Sequence, residues 1–135
     1  MAIKNYTVTL SVDWQRPNCS QGAPYQWGSE IPRSSDKCWG RKDLVYRWIR
    51  NSDMKTAYVG KAETALFIRI NQYIKPGPSQ STNWKVNREQ QLLATAGDFL
   101  YLVITDSVPG FDLALHQELL WAEALLTALE RPYLQ

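Results

Sequence analysis

The sequence lacks any long hydrophobic run. No apolar stretch approaches the ~20 residues that a membrane-spanning helix needs. The N-terminus also has no apolar segment after a basic start, which a cleaved secretory signal would require. These absences predict a protein that does not interact with a membrane. The cytoplasm is the expected location, unless export uses a route without a cleaved signal.

Cysteine and histidine are scarce, with two cysteines and one histidine in the chain. Cys19 and Cys38 lie far apart without a CxxC spacing, and His116 is the only histidine, so we do not expect a zinc site. Two reduced thiols are expected in a cytosolic protein, with a disulfide between them as the alternative.

A strong charge of one sign is also missing. The net charge of +2 permits a polyanionic partner but does not require one, because the arrangement of charges matters more than their sum. At 135 residues, with 44% hydrophobic and 21% charged residues, the chain should form one globular domain. Six tryptophans and seven tyrosines are many for this length. Most should pack in the core, and a few are candidates for stacking on a ligand.

The first third of the chain has a strand pattern followed by a long irregular stretch. Residues 6–14 alternate between apolar or aromatic and polar side chains, which is typical of a half-buried β-strand. Residues 15–40 are rich in Pro, Gly, Ser and Asn without any period, and their scattered aromatics favour an ordered, packed loop. We therefore expect residues 1–43 to form an extension that packs on a domain of residues 44–135.

The remaining sequence predicts a small mixed α/β (α+β) domain. Strand patterns occur at residues 44–50, 56–59 and 99–105, with "NSDMK" as the hairpin turn between the first two. Helical patterns begin at Glu63 or Thr64 and end near residue 73, and also cover residues 86–96 and 113–130. The expected architecture is a central, mostly antiparallel three-stranded sheet flanked by helices, plus the N-terminal strand.

Residues 58–73, "YVGKAETALFIRINQY", contain several groups that could bind an anion. Gly60 is expected to end a strand and let the backbone approach a ligand, with Lys61 at the entrance of the next helix. Arg69 and Tyr73 are four residues apart and share a helix face at the edge of the predicted core. An isolated arginine there more often covers apolar neighbours and forms a surface ion pair, so this alternative stays open.

Three side chains outside the helix belong to the same hypothesis. Tyr46 and Tyr58 lie on the two strands of the predicted hairpin and can reach the same side of the sheet, although such tyrosines are more often core residues. Glu123 falls beside the apolar stripe of the last helix. A carboxylate at that position needs a partner such as an arginine or a metal ion.

In order and spacing these residues resemble the GIY-YIG nuclease family. The stretch "LVYRWIRNSDMKTAYVG" is similar to the paired-strand signature of that family, with Val45-Tyr46 in the first motif and Tyr58-Val59-Gly60 in the second. The following helix is similar too, with glycine-lysine at its start, a leucine three residues before Arg69 and a tyrosine four residues after it.

The last helix extends the resemblance to about residues 44–135. Glu123 is followed by Leu126 three residues later and Pro132 nine residues later, as in the final helix of the family. The nuclease domain of the bacterial nucleotide-excision endonuclease is especially similar. Two positions differ, since Leu44 replaces the glycine that usually opens the first motif and Gln135 replaces an asparagine often found twelve residues after the glutamate.

The resemblance implies a DNA endonuclease that depends on one Mg²⁺ or Mn²⁺ ion. Glu123 would hold the ion, with water and the substrate phosphate completing its shell. Arg69 would clamp the phosphate as charge builds in the transition state. Gly60, Lys61 and Gln135 are the further substrate contacts that we expect.

The resemblance also gives each tyrosine a role. Tyr46 would accept or orient the proton of the attacking water, and Lys61 and the metal would favour its phenolate because a phenol is a poor base. Tyr58 would hydrogen-bond the phosphate or the water, and Tyr73 would support Arg69 or the scissile strand.

Two alternatives to the enzyme remain open at the level of the sequence. The first is a nucleic-acid- or protein-binding module that keeps the fold without turnover. The second is an inhibitor that uses its phosphate-binding face against a protein. The N-terminal extension is a candidate surface for a protein partner or a splayed single strand, although it could equally cover a sheet edge.

Overall fold

The computed structural model describes residues 2–17, 27–28 and 39–135. It confirms an α+β fold with one three-stranded antiparallel sheet and three helices among those residues. The strands are β1 (Leu44–Arg50), β2 (Thr56–Ala62) and β3 (Leu100–Thr105), and β1 lies between the other two. The helices are α1 (Leu66–Ile74), α2 (Ser81–Thr95) and α3 (His116–Glu130). Within this described part, no helix has the length and apolar character that crossing a bilayer requires.

The central strand β1 is buried on both faces of the sheet, which explains its nearly continuous apolar sequence. Because successive side chains alternate, Tyr46 and Trp48 point to the face covered by α1 and α2, while Val45 points to the face covered by α3. Each face has its own hydrophobic cluster. The sheet therefore separates an aromatic layer on the α1 side from an aliphatic layer on the α3 side.

The prediction of an N-terminal strand is wrong. Residues 2–14 form no strand, and Tyr6 and Val8 are 82% and 87% exposed. The only pairing of this segment with the sheet is a bridge between Gln15 and Ile104 on the free edge of β3. An alternating pattern gives a strand only where a neighbouring strand pairs with it, and β3 meets the segment at one residue.

The long loop expected at residues 15–40 lies largely outside the described residues, and so do Cys19 and Cys38. Two aromatics of this stretch are described. Trp39 is buried in the core, and the ring of Trp27 packs on Trp48 with 5.1 Å between centroids. At these two positions the segment packs on the aromatic layer.

The junction between β2 and α1 differs from its predicted form. Strand β2 does not end at Gly60 but continues to Ala62, because Lys61 and Ala62 still pair with β1. Helix α1 begins only at Leu66, whose backbone N–H donates to the carbonyl of Arg41. Lys61 is therefore a strand residue and does not stand at a helix entrance.

The bounds of the other helices also shift. Helix α2 begins at Ser81, five residues earlier than predicted. The apolar pattern did not indicate this start because the first turns bury polar side chains such as Asn83 and Asn87. Gly97 follows its end with a φ of 73°, which confirms the predicted left-handed residue. Helix α3 begins at His116, after the expected start at residue 113.

The C-terminal residues cover the outer edge of β2. The backbone N–H groups of Tyr133 and Leu134 donate to the carbonyls of Thr56 and Ala57, at 3.2 and 3.0 Å. The side-chain amide of Gln135 accepts from the N–H of Val59 at 2.9 Å and donates to its carbonyl at 2.8 Å. The unpaired backbone of an edge strand is thereby satisfied.

Gly60 is required by the position of Tyr46, its partner across the two strands. A methyl group added to Gly60 would lie 2.5 Å from Cζ of Tyr46 and closer still to its hydroxyl oxygen. The tyrosine ring is fully buried and cannot move aside. This glycine therefore makes room for a phenol, which is a different role from the sharp turn that the sequence suggested.

We expect Gly60→Ala to lower the free energy of unfolding by about 1–3 kcal/mol, because the added methyl overpacks a buried site. Chemical denaturation followed by tryptophan fluorescence measures the change. Gly77→Ala is the matched control, since its added methyl would meet nothing nearer than 3.5 Å. Equal stability of the two variants would contradict the close packing of Tyr46 on Gly60.

Candidate active site

Three tyrosines from three elements meet on the α1 side of the sheet. Tyr46 comes from β1, Tyr58 from β2 and Tyr73 from the last turn of α1. The ring centroid of Tyr73 lies 5.9 Å from that of Tyr46 and 6.2 Å from that of Tyr58. The expectation that Tyr46 and Tyr58 reach the same side of the sheet is confirmed, because both pack in one hydrophobic cluster.

Tyr73 lies deeper than the sequence indicated. It was expected at the edge of the core but is fully buried, since the aromatic layer of the sheet surrounds it. Its hydroxyl is 2.5 Å from the hydroxyl of Tyr46. Arg69 donates from Nη2 to the same Tyr73 hydroxyl at 3.3 Å, and its guanidinium carbon lies 5.0 Å from the centre of the Tyr73 ring. Tyr73 thus connects the central strand with the arginine.

Burial keeps the two inner phenols neutral. Desolvation raises the pKa of Tyr46 and of Tyr73 well above that of an ordinary tyrosine, although the charge of Arg69 acts in the opposite direction. Lys61 pairs opposite Val45, on the other face of the sheet, and its ammonium binds Glu63. The environment of Tyr46 therefore opposes the phenolate that the sequence hypothesis required.

Tyr58 lies between the charged groups of the site. It is only partly buried, and desolvation raises its pKa. The nearby carboxylate of Glu123 raises this pKa further, whereas the guanidinium of Arg69 lowers it. The charges of Glu123 on α3 and of Arg69 on α1 therefore both act on this phenol of β2.

Glu123 projects from α3 as a half-buried carboxylate. Burial raises its pKa, while the charges of Lys61 and Arg69 and the backbone N–H of Lys61 lower it. The carboxylate of Glu63 raises it in turn. Among the residues described, no side chain closes an ion pair with Glu123. Apart from its hydrogen bond with the backbone N–H of Lys61, this carboxylate is therefore a candidate ligand for a cation.

The donor set around Glu123 limits which metal could bind. The described residues contain no group of three or more His, Cys, Asp or Glu side chains that could hold an ion. Zinc prefers several nitrogen and sulfur ligands from the protein, whereas magnesium keeps most of its waters and takes one or two carboxylates. Glu123 alone fits an ion of the second kind.

Several neighbours of the site were missed by the sequence analysis. Gln72 accepts a hydrogen bond from Arg69 at 2.8 Å, and Asn83 accepts another at 3.3 Å. Glu63 binds Lys61, and it also lies 2.7 Å from Nδ1 of His116. Gln72 is three residues after Arg69, a spacing that could have revealed it. Asn83 and His116 come from other elements, so no local pattern pointed to them.

Gln135 was expected to contact the substrate. Both polar atoms of its side-chain amide bind the backbone of Val59. In this arrangement the residue closes the edge of β2, directly before Gly60. The contact with substrate stays a prediction that would require these two hydrogen bonds to be released.

Comparisons of the chain with protein-family models, with curated proteins and with solved structures give no match. The interpretation of the site therefore depends on its residues and their geometry.

We expect Tyr73→Phe and Tyr46→Phe each to lower the free energy of unfolding by about 1–3 kcal/mol, because each leaves the other buried hydroxyl with one partner fewer. The double variant should lose less than the sum of the two, since both substitutions remove the same hydrogen bond. Urea denaturation of all three variants measures this coupling. Tyr6→Phe, at an exposed position, is the control, and strictly additive losses would refute the buried contact.

The raised pKa of Glu123 predicts a dependence of stability on pH. Folding disfavours the ionised carboxylate, so its favourable contribution is present at low pH and is lost as the pH rises through the raised pKa. Glu123→Gln stays neutral throughout. In EDTA, the variant should therefore gain stability relative to the original chain as the pH increases from 4 to 8. Parallel curves of stability against pH for the two proteins would show that burial does not raise the pKa of Glu123.

Proposed function

We propose that this protein is a divalent-metal-dependent DNA endonuclease with a site of the GIY-YIG type. The observation that carries the proposal is the cluster of Tyr46, Tyr58 and Tyr73, in which the Tyr73 hydroxyl binds Arg69. The charge of Glu123 also acts on Tyr58. A phenol, a guanidinium and an unpaired carboxylate in one place suit the hydrolysis of a phosphodiester. DNA as the substrate and a cytoplasmic location belong to this proposal.

In the proposed reaction, a water oxygen bonds to phosphorus and gives up a proton to the solvent. The bond to the leaving deoxyribose oxygen breaks, and that oxygen takes up a proton from the solvent. Negative charge accumulates on the non-bridging oxygens, and preorganised positive charge stabilises it. Arg69 supplies this charge from the protein. When bound at Glu123, Mg²⁺ or Mn²⁺ would supply further positive charge and hold water near the phosphate.

Tyr58 and Tyr73 keep the roles expected from the sequence, whereas Tyr46 no longer accepts or orients the proton of the attacking water. We assign to Tyr58 the orientation of the attacking water, because its phenol is partly exposed and lies near both charged groups. Tyr46 and Tyr73 are buried, neutral phenols that position Arg69 through the Tyr73 hydroxyl. Lys61 lowers the pKa of the Glu123 carboxyl through its charge and its backbone N–H, against the larger effect of burial, which raises that pKa.

A nucleic-acid-binding module without turnover is the second candidate. The observation that favours it is the complete burial of Tyr46, which raises the pKa of the phenol expected to act as the base. Such a module would use Arg69 to bind a phosphate and leave the bond intact.

A cleavage assay separates the two candidates. The purified protein is incubated with supercoiled plasmid and with single-stranded DNA, in Mg²⁺, in Mn²⁺ or in EDTA. We expect nicking that requires the metal and falls by at least about 10²-fold in Glu123→Gln and in Arg69→Ala, in line with the removal of one group that stabilises transition-state charge. Retarded bands without cleavage would favour the binding module.

Matched variants control for the loss of charge. Glu118→Gln makes the same change on the same helix and keeps an oxygen for its hydrogen bond with the Asp112 N–H. Arg88→Ala removes an exposed arginine of α2. Both controls should cleave within about threefold of the original chain. Cleavage that persists in Glu123→Gln and in Arg69→Ala would refute the proposed site.

A further inference from the structure

The guanidinium of Arg69 is held by neutral oxygens. Its Nη1 donates to Oε1 of Gln72 at 2.8 Å and to Oδ1 of Asn83 at 3.3 Å, and its Nη2 donates to the hydroxyl of Tyr73. In the described part of the chain, no carboxylate lies within ion-pair distance of it. The half-buried guanidinium of Arg69 therefore has hydrogen-bond acceptors but no counter-charge among the described residues.

Three other arginines of the chain form ion pairs with carboxylates. Arg47 is also largely buried, and it forms an ion pair with Glu130 at 3.0 Å. Arg41 and Arg50 pair with aspartates, each at 2.5 Å. A carboxylate cancels the charge of its arginine, whereas an amide oxygen satisfies the N–H and leaves the charge in place.

The orientation of Asn83 is fixed from outside the site. Its side chain is buried, and its Nδ2 donates to Oε1 of Gln80 at 3.1 Å. That oxygen also accepts the backbone N–H of Gly77 at 2.8 Å. Because Nδ2 is engaged, the oxygen of Asn83 must face the guanidinium. A chain of amides therefore extends from the α1–α2 loop to Arg69.

The charge that these contacts preserve faces an opening in the surface. A cavity of about 260 Å³ is lined by Arg69, by the amides of Gln80 and Asn83, and by the hydroxyl-bearing Ser79, Ser81 and Thr82. Its lining includes no acidic residue. An anion that enters it meets a fixed guanidinium.

We propose that Gln72 and Asn83 are positioning residues that hold Arg69 as an uncompensated cation for a backbone phosphate of a nucleic acid. The choice of this anion rests on the proposed function. The two amides fix the direction of the guanidinium, and the guanidinium is the group that binds the phosphate. Their neutrality is the essential property, because a carboxylate in either position would hold Arg69 equally well and cancel its charge.

The substitution Gln72→Glu tests this proposal. It preserves the length of the side chain and the accepting oxygen but adds the missing counter-charge. We expect the stability to be unchanged or higher, while the affinity for a fluorescent single-stranded oligonucleotide in EDTA falls about tenfold. The slope of log affinity against log salt should also decrease by about 0.7, the value for one lost phosphate contact on a single strand.

Two further variants make the result specific. Asn51→Asp introduces the same charge at an exposed position in the β1–β2 turn, and it should bind within about twofold of the original chain. Asn83→Asp places the carboxylate at the second acceptor of the same Arg69 Nη1, although it also removes the Nδ2 donor to Gln80. It serves as the second test if Gln72→Glu does not fold, and the same loss of affinity and of salt slope is expected.

The outcomes distinguish this inference from the proposed function. If the original chain binds the oligonucleotide in EDTA but never cleaves DNA in metal, a tenfold loss in Gln72→Glu still supports the inference while the nuclease assignment fails. If the chain cleaves DNA and Gln72→Glu binds as Asn51→Asp does, the inference is overturned and the nuclease stands. Absence of any binding by the original chain overturns the inference.

Discussion

The hydrogen bond between the hydroxyls of Tyr46 and Tyr73 connects the sheet with the site. It joins the central strand to α1 inside the core, over a glycine that leaves space for the phenol. Arg69 is bound to the same Tyr73 hydroxyl, so the position of the cation follows from the packing of the core. A buried polar contact of this kind must be fully satisfied, because each unpaired hydroxyl would cost free energy. Stability and function therefore depend on the same few atoms.

The same burial restricts the chemistry. Burial in an apolar layer raises the pKa of the phenols of Tyr46 and Tyr73 and disfavours them as bases, which leaves Tyr58 as the partly exposed tyrosine of the three. The site instead provides fixed charge. The carboxylate of Glu123 has no ion-pair partner among the described residues, and Arg69 is surrounded by neutral oxygens. Under the proposed function, Arg69 and a cation held by Glu123 would together stabilise the charge of a phosphate.

Much of the fold followed from local patterns. The strand pattern of β1 and the hairpin turn predicted the antiparallel pair, and the continuous apolar run before Thr105 predicted the third strand. The alternation at residues 6–14 misled because no strand lies beside it. The start of α2 was missed because its first turns contain buried asparagines, whose partners come from α1 and its loop. Polar residues that are buried by tertiary contacts have no signature in the sequence.

The sequence by itself determined the strands of the sheet, the helical spacing of Arg69 and Tyr73, and the set of polar groups available for chemistry, because these depend on neighbours within a few residues. Only the tertiary structure decided that Tyr73 is buried, that Gln135 binds Val59, and that Asn83 supports Arg69. Each of these features joins residues from different elements. Burial and charge compensation depend on all the groups that surround a side chain, and folding brings those groups together from distant parts of the chain.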